Sequence, residues 1–224
     1  MPFMSLLARH FDWLSFLVLA VLFVAFPQID LTVSSWFYDP ASGHWAGDNS
    51  VLADSIYGLF RYLPYFLVPV LLLTVGFSFV PGVMEKSRRR AWVFLLVTLL
   101  AGPGILVHNV FKDTFDRARP KNVEQFDGHK TFTPAFVINR TCEKGCNSFV
   151  SGHAAMGFWF MALGWVFSSY RWFTLGLVLG GILSLTRMVQ GGHFLSDTLF
   201  AGYLCYFTFR LLAGVILKQK NVTV

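Results

Sequence analysis

Two histidines, three cations and one carboxylate are spaced in a way that suits phosphoryl transfer. Lys112 and Arg119 fall in one polar stretch that ends at Pro120, Ser151-Gly152-His153 form a second, and Arg187, His193 and Asp197 a third. Guanidinium forks match phosphate oxygens bidentately, and an ammonium adds a point charge. Ser151 and Gly152 precede an apolar run. A hydroxyl and free backbone N–H groups at a helix N-terminus offer an anion site, and Gly152 lets the backbone approach a ligand closely. His193 and Asp197, spaced i,i+4 near the start of another apolar run, would share a helical face. The carboxylate would fix the imidazole tautomer and free one ring nitrogen. That nitrogen can attack phosphorus to give a phosphohistidine. His153 is the matching general acid, protonating the departing oxygen and later activating water. The cations would offset charge on the equatorial oxygens of the transition state.

Each residue also has a plainer reading. Arg187 can snorkel to an interface, Asp197 can cap a helix, and Gly191-Gly192 can be a turn.

The elements that must position these groups are apolar. The chain has 224 residues, 55% hydrophobic and 13% charged, with 25 Phe. Soluble domains carry about 25% charged residues, so this chain calls for a hydrocarbon solvent. Six apolar segments can be marked: Trp13–Phe26, Tyr57–Val80, Ala91–Phe111, His153–Ser168, Trp172–Met188 and Asp197–Leu217. A spanning helix needs about 20 residues, so the first, fourth and fifth are short and must extend into their flanks. Pro64 and Pro69 predict a kink or a late start in the second. The first has no convincing cleavage site after it and reads as a retained helix. The expected fold is all-α, a six-helix transmembrane bundle in a single domain over residues 1–224.

Orientation follows from Lys and Arg. The run Glu85-Lys86-Ser87-Arg88-Arg89-Arg90, Arg171, and Lys218 with Lys220 share one side by parity with Arg9. That side is expected to be cytoplasmic, with both termini. The loop from Pro27 to Ile56 carries Asp30, Asp39, Asp48 and Asp54, has no Lys or Arg, and belongs outside. The loop from Lys112 to Val150 is also outside by parity, yet holds Lys112, Arg117, Arg119, Lys121, Lys130, Arg140 and Lys144. An anionic ligand, or anionic lipid headgroups, would account for that exception. The net charge of +6 lies in gaps between apolar runs, and no nucleic-acid partner is read from it. Cys142 and Cys146 in this loop suit a short disulfide in an oxidising compartment better than half a zinc site, and Cys205 reads as buried and inert.

Taken together, the three clusters resemble the type 2 phosphatidic acid phosphatase superfamily, whose pattern is K-x6-R-P, then P-S-G-H, then S-R-x5-H-x3-D. Lys112, Arg119 and Pro120 match the first part, Ser151, Gly152 and His153 the second, and Arg187, His193 and Asp197 the third. Val150 stands where Pro is usual and Thr186 where Ser is usual; neither change removes a catalytic group. The resemblance implies that Lys112, Arg119 and Arg187 bind phosphate with help from Ser151 and Gly152. It makes His193 the nucleophile, Asp197 its orienting partner and His153 the acid–base, with no metal and no cofactor. Zinc held by His153, His193 and Asp197 is the minor alternative.

The resemblance further implies a bacterial inner-membrane enzyme whose site faces the periplasm near headgroup level. Trp36, Phe37, Tyr38 and Trp45 read as interface anchors. The substrates it suggests are lipid A phosphates, undecaprenyl pyrophosphate and phosphatidylglycerol phosphate. Arg117, Lys121, Lys130, Arg140 and Lys144 favour a polyanionic headgroup, hence lipid A. Three other readings share the motifs or the basic loop: a lipid phosphotransferase, a non-catalytic lipid-binding protein, and a vanadate-dependent peroxidase, against which the membrane segments argue.

Overall fold

The computed structural model describes residues 2–139, 146–219 and 222; the side chains of 2–10 and 108–113 lie outside the described set, as does the rest of the chain. Helix α1 (Pro2–Ala25) ends before Phe26-Pro27, and α2 (Gln28–Ser35) leaves it at 85°. Proline cannot continue the hydrogen-bond ladder, so the chain turns there. A two-stranded hairpin, β1 (Tyr38–Asp39) and β2 (His44–Trp45), leads to α3 (Val51–Phe77). Ser50 caps α3 by accepting from the Ala53 backbone N–H at 3.3 Å. The helix therefore starts before the expected Tyr57 and runs unbroken past Pro64 and Pro69, so the late start does not occur.

Helix α4 (Lys86–Leu99) passes into a π-helical stretch, Leu100–Phe111, and a last α-helical turn, α5 (Lys112–Phe115). After a long loop come α6 (Gly152–Phe158), a 3-10 turn (Trp159–Met161), α7 (Ala162–Val166), α8 (Tyr170–Val189) and α9 (Leu195–Leu212), which ends in a second π-helical stretch, Ala213–Leu217. Strand is confined to the hairpin among these elements. The architecture is the expected all-α membrane bundle.

Among the described residues, four helices are long and apolar enough to cross a bilayer: Val51–Phe77, Lys86–Val107, Tyr170–Val189 and Leu195–Leu217. The bent pair Phe11–Ala25 and Gln28–Ser35 makes a fifth if read as one broken span. The expected fourth segment, His153–Ser168, is instead the short rod α6–α7. Its fifteen residues reach about 22 Å, against about 30 Å of hydrocarbon. The rod is the centre of the bundle, with Ala154, Ala155, Met156, Trp159, Met161, Ala162 and Trp165 buried. It does not need the length of a lipid-facing helix because protein surrounds it. Small residues let α8 close onto it: a Cβ on Gly176 would stand 2.0 Å from the Met161 nitrogen, and one on Gly157 2.8 Å from the Gly180 Cα. Outward faces remain apolar, as at Val21, Phe66 and Leu211. That is the surface a hydrocarbon solvent requires.

A second, smaller cluster joins Trp45, Ala118, Val123, Phe126 and Phe194, with Tyr38 and Phe37 packed against it. Trp45 is only 7% exposed, whereas Trp36 is 71% exposed. Tyr38, Phe37 and Trp45 thus build a cap over the loops instead of anchoring to the interface. A hairpin too short to bury its aromatics within itself buries them against the neighbouring loop.

Candidate active site

The site is assembled where α6, α8 and α9 meet the loops on one face of the bundle. The link between α8 and α9 carries His193, which is 3% exposed. Its Nδ1 lies 2.8 Å from the backbone carbonyl of Ser148 and 3.6 Å from Asp197 Oδ2. A carbonyl only accepts, so Nδ1 donates and the Nε2 lone pair is left for an electrophile. Burial pushes the His193 pKa down to about 4; Asp197 opposes that shift, while the charges of Arg187 and Arg119 add to it. The imidazole is therefore neutral near pH 7, as a nucleophile must be.

Asp197 does not share a helical face with His193, because α9 begins only at Leu195. Its carboxylate is taken up locally. Oδ2 accepts from Ser148 Oγ at 2.5 Å and from the Phe194 backbone N–H at 2.8 Å, and Oδ1 accepts from Arg117 Nη1 at 2.6 Å. Asp197 thus fixes the backbone just after the histidine and the loop whose carbonyl holds Nδ1.

Arg117 overturns an expectation. Expected as a headgroup-facing cation, it is 1% exposed and satisfied by protein. Nη2 donates to Asp30 Oδ2 at 2.7 Å, Nε to the Thr133 carbonyl at 2.7 Å, and Nη1 also to Ser196 Oγ at 2.8 Å. Asp30, from α2, accepts from the Ser196 backbone N–H at 2.9 Å. A guanidinium between two carboxylates satisfies both, whereas any one of the three alone would be an uncompensated buried charge. Lys130 is likewise directed inward, its Nζ 2.9 Å from Cys146 Sγ. Among the loop cations this leaves Lys121 exposed; Arg140 and Lys144 lie outside the described residues.

Arg187 ends α8, 8% exposed, with Nη1 donating to Gln190 Oε1 at 2.6 Å and Cζ 4.6 Å from the centroid of the Tyr57 ring. Gln190 in turn donates to Asp54 Oδ1 at 3.0 Å, which ties Arg187 to α3. Gly192 is required by the guanidinium, since a Cβ there would stand 2.2 Å from Arg187 Nη2. Gly191 adopts φ +59° with its α-carbon against the Trp45 ring, where a Cβ would meet the ring at 2.5 Å. Arg119 precedes a 3-10 turn, Pro120–Asn122, and Lys121 N–H donates to the Gly191 carbonyl at 3.0 Å, bringing the Arg119 loop to the histidine loop. The buried Nε atoms of Arg119 and Arg187 meet no acceptor among the described residues. Two guanidinium groups that keep donors in reserve beside a neutral imidazole suit a phosphoryl group.

Ser151 and Gly152 stand where α6 begins. Ser151 is fully buried, its Oγ accepting from the Ala154 backbone N–H at 3.3 Å and its own N–H donating to the Asp197 carbonyl at 3.0 Å. Its hydroxyl is the helix cap, which leaves only the hydroxyl proton to offer a ligand. His153, in the first turn of α6, stacks on Tyr57 with ring centroids 4.5 Å apart. The Lys112 backbone opens α5, but its side chain lies outside the described residues, as does Cys142. Cys146 is disulfide-bonded, and Cys205 is free and buried. Among the described residues no three His, Cys, Asp or Glu side chains stand close enough to share a metal ion.

Reading the sequence missed Asp30, Tyr57, Ser148 and Gln190. Asp30 and Tyr57 carry a signal in hindsight, as polar groups beside apolar segments. Ser148 and Gln190 carry none, since their partners, Asp197 and His193 for the one and Arg187 and Asp54 for the other, are brought to them by the fold.

The family model of the PAP2 superfamily matches residues 90–220. The chain is 35% identical to a lipid A 4'-phosphatase of Francisella tularensis subsp. novicida over 223 residues, 97% of this chain and 96% of that protein. It is 31% identical to a lipid A 4'-phosphatase of Rhizobium leguminosarum over 226 residues, covering 93% and 96%. No solved structure matches the chain.

Proposed function

The chain belongs to the PAP2 superfamily and is a hydrolase of lipid phosphate esters; from that premise we propose that it removes a phosphate from lipid A through a phosphohistidine on His193. The observation that carries the reading is the state of His193: neutral, buried, and held through Nδ1 so that Nε2 is its nucleophilic atom. In the first step Nε2 forms a bond to phosphorus as the bond from phosphorus to the lipid oxygen breaks. His153 gives its proton to that oxygen. In the second step His153 takes a proton from water, whose oxygen attacks phosphorus and breaks the P–N bond, returning free phosphate and both imidazoles. Arg119 and Arg187, with Lys112, offset the charge gathered on the equatorial oxygens. Asp197 orients the histidine by way of Ser148.

The leaving lipid belongs beside the acid that protonates it. A cleft of about 380 Å³ meets that need, lined by Gly152 and His153 together with Phe60, Pro64, Val68 and Leu99. Its apolar wall suits an acyl-bearing product. Phosphatases named for lipid A among the relatives support that substrate over undecaprenyl pyrophosphate and phosphatidylglycerol phosphate. Parity of the basic gaps supports a site facing the periplasm and cytoplasmic termini in a bacterial inner membrane. The spacing of Cys142 and Cys146 supports a disulfide between them, and the mechanism asks for no metal.

The test is purified protein in detergent, given each lipid separately, with free phosphate measured. Release from lipid A in EDTA, lost in His193→Ala, is the expected result. Release only from the other lipids would refute the substrate. Release only when a second acceptor lipid is added would make the enzyme a phosphotransferase, and undiminished release in His193→Ala would refute the mechanism.

A further inference from the structure

Helix α3 lies before residues 90–220, the stretch matched by the family model, yet it reaches into the site. Asp54, Tyr57 and Arg61 recur at i, i+3 and i+7, a spacing that places them on one face. Asp54 accepts from Gln190, which accepts from Arg187. The Tyr57 ring then makes two contacts at once. It stacks on His153 at 4.5 Å with planes 28° apart, and the Arg187 Cζ stands 4.6 Å from its centroid. Arg61 Cζ lies 5.9 Å from the same ring and shares the cleft with His153.

We infer that Tyr57 is a positioning residue for the reaction, holding the acid–base His153 and the phosphate-binding Arg187 in register through the electron-rich face of its ring. The inference rests on the reading of His153 as the acid–base. An aromatic face attracts a cation, so it favours the imidazolium that must donate to the leaving oxygen over the neutral ring. It also holds a guanidinium whose Nε has no acceptor among the described residues. Repulsion works the other way. Arg61 from α3 and Arg187 from α8 flank the pair, and each positive charge disfavours a further one. His108, from the segment packed against α6, and Lys112, which follows it, have side chains outside the described residues. Asp54 is the nearby carboxylate of α3 and is engaged by Gln190. The ring is one contact that favours a proton on His153 over the neutral imidazole.

The experiment is the pH dependence of kcat and kcat/KM with the lipid substrate for wild type, Tyr57→Phe, Tyr57→Leu and trifluorophenylalanine at position 57. The Phe variant keeps the ring and should leave the basic limb in place. In Tyr57→Leu that limb should move down by about 0.5 to 1.5 pH units. Trifluorophenylalanine keeps the shape and empties the ring face, so it should move the limb in the same direction even if the Leu variant fails to fold. A residue that only filled space would lower the active fraction without moving the limb. A limb unmoved by fluorination, or moved as far by Phe as by Leu, overturns the inference. A wild-type profile without a basic limb would refute the acid–base reading itself, which separates the two failures.

Discussion

At the scale of the residue, the proposed reaction depends on keeping one imidazole neutral and another protonated. His193, held near a pKa of about 4 by burial, is neutral over the physiological range. Hydrolysis should therefore hold steady from pH 7 down to about 5 and fall as pH approaches 4, while loss of the His153 proton closes the profile at high pH. A rate flat from pH 4 to 9 would contradict the two-histidine scheme. The same shift bears on stability. A histidine in the unfolded chain takes its proton near 6.5, so the contribution is complete above that value. It is lost progressively as pH falls and is gone below the folded value of about 4. Arg117 gives the second prediction at this scale. Arg117→Leu strands Asp30 and Asp197 as buried carboxylates, which should cost about 3–5 kcal/mol. Thermal unfolding in detergent would show it, and a variant as stable as wild type would mean that the carboxylates are not charged there.

The residue scale is also where the sequence was most legible. Ordered spacing singles out Arg119, His153, Arg187, His193 and Asp197, and each stands close to a helix end on the face proposed as the site. What stayed hidden was sign and direction. Arg117 reads as one more loop cation, and only the fold brings Asp30 from 87 residues away to neutralise it. The Ser148 carbonyl is a backbone atom, and no residue type announces its use.

At the scale of the element, glycines separate two kinds of contact. Gly192 faces the mobile end of a side chain, Arg187, whereas Gly176 faces the backbone of the 3-10 turn before α7. Gly192→Ala should push the guanidinium aside and reduce kcat/KM by tenfold or more, about 1.4 kcal/mol of transition-state binding, with little change in melting temperature. Gly176→Ala should instead cost about 1–3 kcal/mol of stability, because neither helix can yield. Equal losses of stability in both variants would contradict this division. Helix lengths explain which elements were legible. Lipid-facing α3, α8 and α9 announce themselves as long apolar runs. The α6–α7 rod looked like a short span because burial in protein and burial in lipid leave the same composition.

At the scale of the molecule, the orientation proposed from the basic gaps puts the active face in the periplasm and the Lys86–Arg90 run in the cytoplasm. Ser42, exposed in the hairpin, and Ser87, exposed at the start of α4, provide reporters. In intact cells an impermeant thiol reagent should label Ser42→Cys and leave Ser87→Cys untouched until the membrane is opened. The reverse pattern would place the site in the cytoplasm.

The claim on which these scales converge is that the phosphate passes through the His193 ring. Incubation with lipid A labelled by radioactive phosphate, followed by alkaline quenching and peptide mapping, tests it directly. The account predicts an acid-labile, base-stable label on the peptide holding His193, enriched in His153→Ala, where the water step is slowed, and missing from His193→Ala. Phosphate released at the wild-type rate with no labelled histidine, or label retained in His193→Ala, would contradict it.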